Sequence, residues 1–415
     1  MQPADTAGRL HDRLWGAMHT ITGSGLSGAP RDSLTARFRV RDAFALPRDD
    51  ETVVARAAQE HTYPIHVTRD ATATRNRLAE LLATAETVAL ISDETVDALY
   101  GNQLRATLRD LGHDVIASAI GAGEASKSLE QAVALWHWLA DSRLGRRDVV
   151  LCFGGGVICD LGGWVASAYM RGIPYVNLPT TLLAMVDGAL GGKVAVNHRV
   201  AKNLLGAFEQ PSGVVCHLPH LRSLERRQLA AGLAECIKKG VIAAPAYFDF
   251  IETGADALLA GDEPALEQLV RAAAAIKTAL IERDPYELDL RRPLNFGHTI
   301  GHPLETVTGY APLLHGEAVA FGMAVEARIA ESRGWLDAQT LERLIALLDR
   351  CGLPTDASLL PPVTADELIR ATDKVRLIRA GSLRWVLPLA LGETIIADDV
   401  SEAELREALA RSGVQ

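Results

Sequence analysis

From Val149 to Ser167 the chain reads Val-Val-Leu-Cys-Phe-Gly-Gly-Gly-Val-Ile-Cys-Asp-Leu-Gly-Gly-Trp-Val-Ala-Ser. An apolar run ends in consecutive glycines, and an amphipathic helix pattern starts directly after them. This order of strand, glycine turn and helix lets backbone N–H groups at a helix start approach a pyrophosphate. The spacing differs from Gly-x-Gly-x-x-Gly, but a plain strand-to-helix turn would usually need fewer glycines. The pattern therefore indicates a nucleotide-binding α/β unit.

Apolar strands alternate with helical stretches on both sides of this turn. After about residue 222 the pattern becomes almost wholly helical, broken by Gly and Pro. We therefore predict an α/β protein with an N-terminal Rossmann-like, mostly parallel sheet domain and a C-terminal all-helical domain. The predicted strands are Val88–Ile91, Val115–Ala119, Val149–Phe153 and Tyr175–Leu178, with shorter candidates at Arg37–Val40 and Tyr63–Val67.

Three of the chain's 12 histidines lie close together in residues 293–317. His298 and His302 are four residues apart, so on a helix they share a face. His315 is expected to return from a loop. An isolated His-x-x-x-His pair could equally be a buried helix with incidental histidines.

A second segment favours a metal site. The helical stretch Leu229–Ile242 carries Glu235 and Lys238 three residues apart on one side. A carboxylate and two imidazoles form a common ligand set for catalytic zinc. Taken alone, Glu235 and Lys238 would be read as a surface ion pair. We accordingly predict that the C-terminal helical domain binds a metal.

A local basic cluster occurs in an otherwise acidic chain of net charge −10. The basic residues near glycine-rich sequence are Arg171, Lys193 and Lys202. The two lysines must lie on a loop or a short hairpin. Lysine is a compact point charge suited to phosphate. The cluster suggests recognition of a phosphorylated substrate.

These motifs together resemble the sugar phosphate cyclases, of which the dehydroquinate synthases are the best-known branch. The resemblance runs from roughly residue 85 to the C-terminus. It implies an NAD-dependent and metal-dependent cyclase that acts by transient oxidation, phosphate elimination, reduction and intramolecular aldol closure. It is carried by Gly154-Gly155-Gly156-Val157 with Asp160, Pro179-Thr180-Thr181, Asp187, Gly192-Lys193, Lys202-Asn203, Gly232-x-x-Glu235-x-x-Lys238, Asn295-x-Gly297-His298-x-x-Gly301-His302 and His315-Gly316-Glu317.

The resemblance also implies roles for individual residues. Zn²⁺ or Co²⁺ would be held by Glu235, His298 and His315. Catalytic groups would be Lys193, Lys238, His302, Asp187 and Asn203. A sugar phosphate would be bound by Lys202, Lys277, Arg291, Asn295, Lys374 and, across the interface of a homodimer, Arg171. NAD would lie against Asp93, Glu124, Lys127, Gly155, Gly156, Val157, Asp160, Thr180 and Thr181.

The branch of the family is predicted from the positions at which this sequence differs from the dehydroquinate synthase pattern. Val194 and Arg199-Val200-Ala201 differ from the dehydroquinate pattern, whereas His302 and Arg291 retain it. Val375 after Lys374 replaces a second lysine of the dehydroquinate enzymes. This mixture favours sedoheptulose 7-phosphate as substrate and a C7 cyclitol of the 2-epi-valiolone type as product. Alternatives are a dehydroquinate synthase, a cyclase making the 5-epimer, a metal-dependent glycerol or alcohol dehydrogenase, and a degenerate non-enzyme.

Pattern changes along the chain, its length and its composition predict the domain boundaries, the cellular compartment and the kinds of partner. The predicted boundaries are 1–34 for a mobile N-terminal extension, 35–222 for the NAD-binding α/β domain and 223–415 for the helical metal- and substrate-binding domain. The chain has 415 residues, 48% of them hydrophobic, without a membrane-spanning run or a signal-peptide pattern. Five irregularly spaced cysteines are typical of reduced thiols in a cytoplasmic protein. The acidic balance argues against nucleic acid as a partner.

Overall fold

The computed structural model describes residues 61–199, 201–284, 286, 292–310, 312–378 and 383–415. The predicted extension 1–34, the strand candidate Arg37–Val40 and Arg291 lie outside the described residues. The side chain of Lys374 also lies outside the described set, although its backbone belongs to a helix.

A six-stranded sheet with every neighbouring pair parallel forms the first half of the described chain. Its order is β1-β8-β5-β4-β2-β3. The central strands are apolar throughout because a parallel sheet is covered by helices on both faces. The strands are β1 Ile65–Thr68, β2 Thr87–Asp93, β3 Asp114–Ile120, β4 Val149–Gly154, β5 Tyr175–Pro179 and β8 Gly213–His217.

Two pairs of helices cover the two faces of this sheet. Helices α1 (Ala71–Leu82) and α2 (Asn102–Asp110) pack on one face through leucines. Helices α3 (Leu129–Asp141) and α4 (Gly156–Ala168) pack on the other. The predicted mostly parallel, helix-covered sheet is confirmed. Each strand predicted within the described residues is present, although the candidate at Tyr63–Val67 is found at Ile65–Thr68, and β8 was not predicted.

A separate antiparallel hairpin stands beside the sheet. It consists of β6 (Lys193–His198) and β7 (Ala201–Phe208), and it rests on α4, where Val194 fills the space over Gly163. The loop or short hairpin expected around the two lysines is therefore a hairpin.

The second half of the described chain is helical, as predicted, with one hairpin that the sequence pattern did not indicate. Strands β9 (Trp385–Ala390) and β10 (Glu393–Ala397) turn at Gly392, whose φ is +84°. The described part of His61–Gln415 is one compact unit, and the boundary at 222–223 remains a prediction. The helices are α5 Arg226–Ala243, α6 Pro245–Leu259, α7 Glu263–Arg283, α8 His298–Val307, α9 His315–Ser332, α10 Ala338–Arg350, α11 Ala365–Ile378 and α12 Glu402–Arg411.

None of the helices described is both long enough and apolar enough to span a membrane.

Candidate active site

Three helices each contribute one side chain to a compact carboxylate–imidazole cluster. Glu235 lies in the middle of α5, His298 is the first residue of α8, and His315 is the first residue of α9. The Nε2 atoms of His298 and His315 lie 3.7 and 3.9 Å from Glu235 Oε1. Two ligands each about 2.1 Å from one tetrahedral ion would be about 3.4 Å apart. The cluster thus nearly has the spacing of a metal site, and His315 opens a helix rather than lying in a loop.

Close backbone contacts bring these three helices together. A Cβ placed on Gly316 would overlap the carbonyl oxygen of Ala231 in α5. A Cβ placed on Gly322 would overlap the carbonyl oxygen of Gly297 at the start of α8. Glycine is required at both positions because no side chain fits between the backbones. Helix α9 therefore lies directly against the other two ligand-bearing helices.

Local hydrogen bonds fix the start of α9. Glu317 accepts a hydrogen bond from the Leu314 backbone N–H at 2.8 Å, in a capping-box arrangement. The Arg227 guanidinium of α5 donates to the same carboxylate at 2.6 and 2.7 Å. These contacts hold the first turn of α9, and with it His315, against α5.

The hydrogen bonds of the two imidazoles leave one nitrogen of each directed at Glu235. His298 Nδ1 lies 3.1 Å from the Phe296 carbonyl oxygen, and His315 Nδ1 lies 3.3 Å from Glu305 Oε2. A carbonyl or carboxylate oxygen can only accept, so each Nδ1 carries a proton, and in the neutral imidazole Nε2 then carries the lone pair. Both imidazoles are thus in the tautomer that binds a metal through Nε2.

Glu235 itself has the surroundings of a metal ligand. It is fully buried, and Lys238 Nζ is in ion contact with its Oε2. Its other oxygen, Oε1, accepts no hydrogen bond from a described residue. A buried carboxylate oxygen without a donor requires an explanation, and a divalent ion between Oε1 and the two Nε2 atoms would supply one. The residues present therefore fit the predicted metal.

The charges around the cluster act on the two imidazoles in opposite directions. Burial, followed by the positive charge of Lys238, lowers the pKa of His298 well below its ordinary value. Burial also lowers the pKa of His315, but the carboxylates of Glu305 and Glu235 outweigh it and raise that pKa overall. His298 is therefore held in the neutral form that metal binding requires, while the neighbouring carboxylates favour protonation of His315.

A second charge cluster, in which the lysines are buried, surrounds Asp187, which lies in a π-helical turn, Ala184–Gly188. Lys277 Nζ is 2.9 Å from Asp187 Oδ1 and 2.6 Å from the Asp187 carbonyl oxygen. Lys239 Nζ is 3.4 Å from the same carboxylate. Burial raises the pKa of Asp187, yet these lysines together with Lys238 hold it well below its usual value. Asp187 is consequently an ionised carboxylate beside the cluster.

Sequence reasoning missed Lys239. It follows Lys238 directly, and both side chains are fully buried on α5. Its Nζ lies 3.5 Å from the Glu235 carbonyl oxygen and 4.0 Å from Glu235 Oε2. The long apolar run around it was the available signal, because a lysine pair inside a buried helix needs buried carboxylates.

The β6–β7 hairpin joins the sheet side to the metal side. Lys127 makes an ion contact with Asp160 and donates to Asn203 Oδ1 at 2.5 Å. Burial raises the pKa of Asp160, and Lys127 opposes that shift. Asn203 has a φ of +53°, a conformation that asparagine tolerates better than most residues. Glu124 joins the same network by accepting from the Asn197 amide at 2.8 Å.

The carboxyl end of the sheet carries most of the predicted cofactor residues. Asp93 ends β2, where its Oδ1 accepts the Val96 N–H at 2.9 Å. Gly156 opens α4, and an added Cβ there would have no atom within 4 Å. The Thr180 hydroxyl, just beyond β5, is buried without a hydrogen-bond partner among the described residues. Val157 and Thr181 lie at the same edge. The geometry provides open space at the start of α4 and, at the end of β5, one buried hydroxyl without a partner among the described residues.

Other predicted residues are placed less centrally. Arg171 is exposed just after α4 and has a φ of +70°. Lys193 is exposed at the start of β6, and Asn295 ends the short helical turn before α8. Val194 alternates to the opposite side of its strand from Lys193 and lies in the core against Gly163 and Tyr175. Its departure from the dehydroquinate pattern therefore concerns packing under the hairpin, not direct substrate contact.

Glu326 is a further buried group that sequence reasoning missed. It is fully buried in α9 and accepts the Gly297 and Thr299 N–H groups at 2.8 and 3.2 Å. These are donors at the start of α8, the helix that begins with His298. Burial raises the pKa of Glu326 to about 8 despite these hydrogen bonds. A carboxyl group of α9 thus secures the α8 terminus.

This raised pKa predicts a pH-dependent stability. A carboxyl whose pKa is about 8 when folded and ordinary when unfolded binds a proton preferentially in the folded state. The contribution of Glu326 to the unfolding free energy is fully present below the pKa that this carboxyl has in the unfolded chain. It is lost as the pH rises through the folded-state pKa of about 8. Between pH 5 and pH 8 the unsubstituted protein should lose on the order of 3 kcal/mol of unfolding free energy through this group. Glu326→Gln cannot titrate, so it should not show this loss. Urea unfolding at several pH values measures this; parallel pH profiles would contradict it.

Comparison with known proteins identifies the family of the chain. The family models "3-dehydroquinate synthase N-terminal" and "3-dehydroquinate synthase C-terminal" match residues 117–231 and 232–375. A 2-epi-valiolone synthase of Actinosynnema mirum is 52% identical over 380 residues, covering 91% of this chain and 98% of the relative. A 3-dehydroquinate synthase of Desulforamulus reducens is 41% identical, with coverage of 84% and 97%.

A solved structure gives the same result for the fold. The 2-epi-5-epi-valiolone synthase ValA of Streptomyces hygroscopicus subsp. jinggangensis 5008, with NAD⁺ and Zn²⁺ bound, superposes with a TM-score of 0.81. It is 30% identical, and the match covers 87% of this chain and 99% of that one.

The covered parallel sheet and the helical part with its carboxylate–imidazole cluster are those of an enzyme with the dehydroquinate-synthase-like fold. The chain belongs to the 3-dehydroquinate synthase family, the sugar phosphate cyclases.

Proposed function

We propose that the protein is an NAD- and metal-dependent cyclase that converts sedoheptulose 7-phosphate to a 2-epi-valiolone-type cyclitol, releasing phosphate as a phosphorus–oxygen lyase. The observation that carries this proposal is the 52% identity to a 2-epi-valiolone synthase over nearly the whole of both chains. The clustering of Glu235, His298 and His315 supports the metal dependence.

The metal and the cofactor would supply the redox chemistry. A divalent ion held by Glu235, His298 and His315 supplies Lewis-acid polarisation of a hydroxyl or carbonyl oxygen. NAD, which the Gly154–Val157 turn would hold, would supply a hydride acceptor. The chain's own residues bind, orient and exchange protons with the substrate around these two groups.

The charged residues of the site suit an anionic polyol. Asp187 is held ionised by its lysine neighbours, so it can accept hydrogen bonds from substrate hydroxyls. Lys193 and Lys202 on the hairpin present positive charge for the phosphate. A simple alcohol would need no such cluster, which disfavours a net alcohol dehydrogenase.

His302 is proposed to exchange the proton in ring closure. Its ring centroid lies 5.0 Å from that of His298 and 5.9 Å from that of His315. It is therefore beside the ligand cluster while remaining outside the Glu235–His298–His315 set. The site's other contribution to closure is to hold nucleophile and carbonyl together, which can supply roughly 7–11 kcal/mol of the barrier.

The substrate assignment is tested by direct incubation. The purified enzyme with NAD and Zn²⁺ or Co²⁺ is given sedoheptulose 7-phosphate and, separately, the carboxylated dehydroquinate precursor, with NMR of the products. We expect a 2-epi-valiolone-type product from the first, and no net rise in absorbance at 340 nm. Efficient reaction of only the carboxylated substrate would restore the dehydroquinate synthase alternative, which the 41% identical relative represents.

The cofactor position is tested by Gly156→Val. An added Cβ at Gly156 would have no described atom within 4 Å, so we expect the fold to tolerate a small side chain there, whereas a pyrophosphate at this turn would be displaced. We expect the Kd for NAD to rise at least about tenfold, equivalent to about 1.4 kcal/mol. Gly155→Val is less discriminating because its Cβ would lie 3.2 Å from Thr181 Cγ2. An unchanged melting temperature with normal NAD affinity would refute the placement.

We also propose a cytoplasmic homodimer in which Arg171 serves the partner's site. The exposure of Arg171 and the five buried free cysteines support this arrangement. Light scattering after gel filtration measures the oligomeric state, and a monomeric active enzyme would contradict it.

A further inference from the structure

Glu305 divides its carboxylate between a metal-ligand histidine and a lysine from the hairpin. It lies on α8, three residues after His302, and is only 2% exposed. Its Oε2 is 3.3 Å from His315 Nδ1, and its Oε1 accepts a hydrogen bond from Lys202 Nζ at 2.8 Å. The two oxygens therefore face two different functional elements.

The contact to His315 determines which nitrogen of that imidazole faces Glu235. Because a carboxylate accepts, His315 Nδ1 donates and Nε2 is turned toward Glu235. Such carboxylate–histidine contacts orient metal ligands and raise their basicity. His298 is oriented by a backbone carbonyl instead, so a side-chain change controls the orientation of His315 specifically.

The contact to Lys202 links the metal helices to the hairpin. Lys202 lies on β7, beside Asn203, which contacts Lys127 on the sheet side. Lys202 Nζ also lies 3.6 Å from Glu124 Oε1 and 5.1 Å from the centre of the Tyr310 ring. Glu305 is thus the shared partner of a lysine that would contact phosphate and of a histidine that would bind metal.

We propose that Glu305 is a positioning residue that orients His315 for metal binding and also holds Lys202 in the site. This inference rests on the proposed metal-dependent function. It predicts that loss of the Glu305 charge weakens metal binding even in the absence of substrate, and that loss of Lys202 does so much less.

The experiment is a Co²⁺ titration of the metal-stripped full-length protein in the absence of substrate. Metal binding is monitored by the visible absorption of the bound Co²⁺. We expect Glu305→Gln to raise the Kd for Co²⁺ about 10–100-fold and to change the Co²⁺ absorption bands. Glu305→Asp keeps the charge but shortens the side chain, and should give an intermediate Kd. If Glu305→Gln does not fold, Glu305→Asp by itself tests whether the carboxylate position affects metal affinity.

Two further variants separate the two contacts. Lys202→Met should leave the Kd for Co²⁺ within about threefold, since His315 keeps its carboxylate partner, while raising KM for the sugar phosphate. Glu404→Gln breaks a carboxylate–arginine pair with Arg333 that is unrelated to the cluster, and should leave both constants unchanged.

The outcomes distinguish this inference from the proposed function. A normal Co²⁺ affinity in both Glu305→Gln and Glu305→Asp would overturn the positioning role while leaving the metal site intact. An equal loss of affinity in Lys202→Met would show that the carboxylate acts through the lysine, which also overturns it. Failure of the unsubstituted protein to bind Co²⁺ would overturn both the inference and the proposed metal dependence.

Discussion

His298→Ala is expected to abolish stoichiometric metal binding and to lower kcat about a thousandfold or more, equivalent to about 4 kcal/mol of transition-state stabilisation. His298 supplies one of three ligand atoms that lie within 4.8 Å of one another. Removing it leaves Glu235 and His315, too few protein ligands to hold a catalytic ion tightly. The fold should persist, because His298 opens α8 and its side chain is not part of the apolar core.

Metal analysis by mass spectrometry and steady-state kinetics measure this effect. His137→Ala is the matched control, since His137 is exposed on α3 and does not belong to the Glu235–His298–His315 cluster. It should retain full metal content and activity. One equivalent of tightly bound zinc or cobalt in His298→Ala would exclude His298 as a ligand.

Gly322→Ala is expected to have the second largest effect, on the site and on stability together. The new methyl group would overlap the Gly297 carbonyl oxygen, so α8 and α9 would have to separate. Overpacking of this kind lowers the free energy of unfolding by about 1–3 kcal/mol, and sometimes by more. A displacement of about 1 Å in an active site can lower activity a hundredfold. We therefore expect a lower melting temperature, weaker metal binding and a large loss of kcat.

Gly254→Ala provides the comparison for this substitution. Gly254 is also within a helix, α6, but its added Cβ would meet only one side-chain atom, at 4.0 Å. Replacing glycine by alanine in a helix interior usually stabilises by roughly 0.5–1 kcal/mol. If Gly322→Ala were as harmless as Gly254→Ala in thermal unfolding and metal titration, close helix contact would not control the site.

The sequence predicted the sheet because strands and helices depend on short-range patterns, whereas the full ligand set of Glu235, His298 and His315 came from the resemblance to a known family. The apolar strand before Gly154 and the helix after it follow from local hydrophobic periodicity. His298 and His302 share a helix face because they are four residues apart. The resemblance to a known family then assigned the chemistry, and the comparisons confirm that family.

The sequence did not reveal the hairpin of β9 and β10. Trp385–Ala390 is a short apolar run, and such runs fit a buried helix segment as well as a strand. The hairpin is stabilised by non-local packing, including a hydrogen bond of 2.7 Å from the Gly392 N–H to the Val241 carbonyl oxygen in α5. Its conformation therefore depends on a neighbour far away in the chain.

The same limit explains the buried charges. Lys239, Glu305 and Glu326 lie within ordinary helical patterns, in which a charged residue is normally assigned to the surface. Glu305 meets Lys202 across 103 residues, and Glu326 meets Gly297 across 29. No local rule specifies such partners, because they are chosen by which faces of distant helices come into contact.

By itself, then, the sequence determined most strands of the sheet and the helical character of the second half, and it showed which side chains could carry metal-binding and phosphate-binding chemistry. Periodicity and side-chain type are local properties, so they survive without the fold. Only the tertiary structure decided how closely α5, α8 and α9 approach, through Gly316 and Gly322. It also decided that Val194 lies in the core and that Glu305 orients His315. These features depend on steric fit and charge pairing between segments that are distant in the chain, and such contacts exist only in the folded protein.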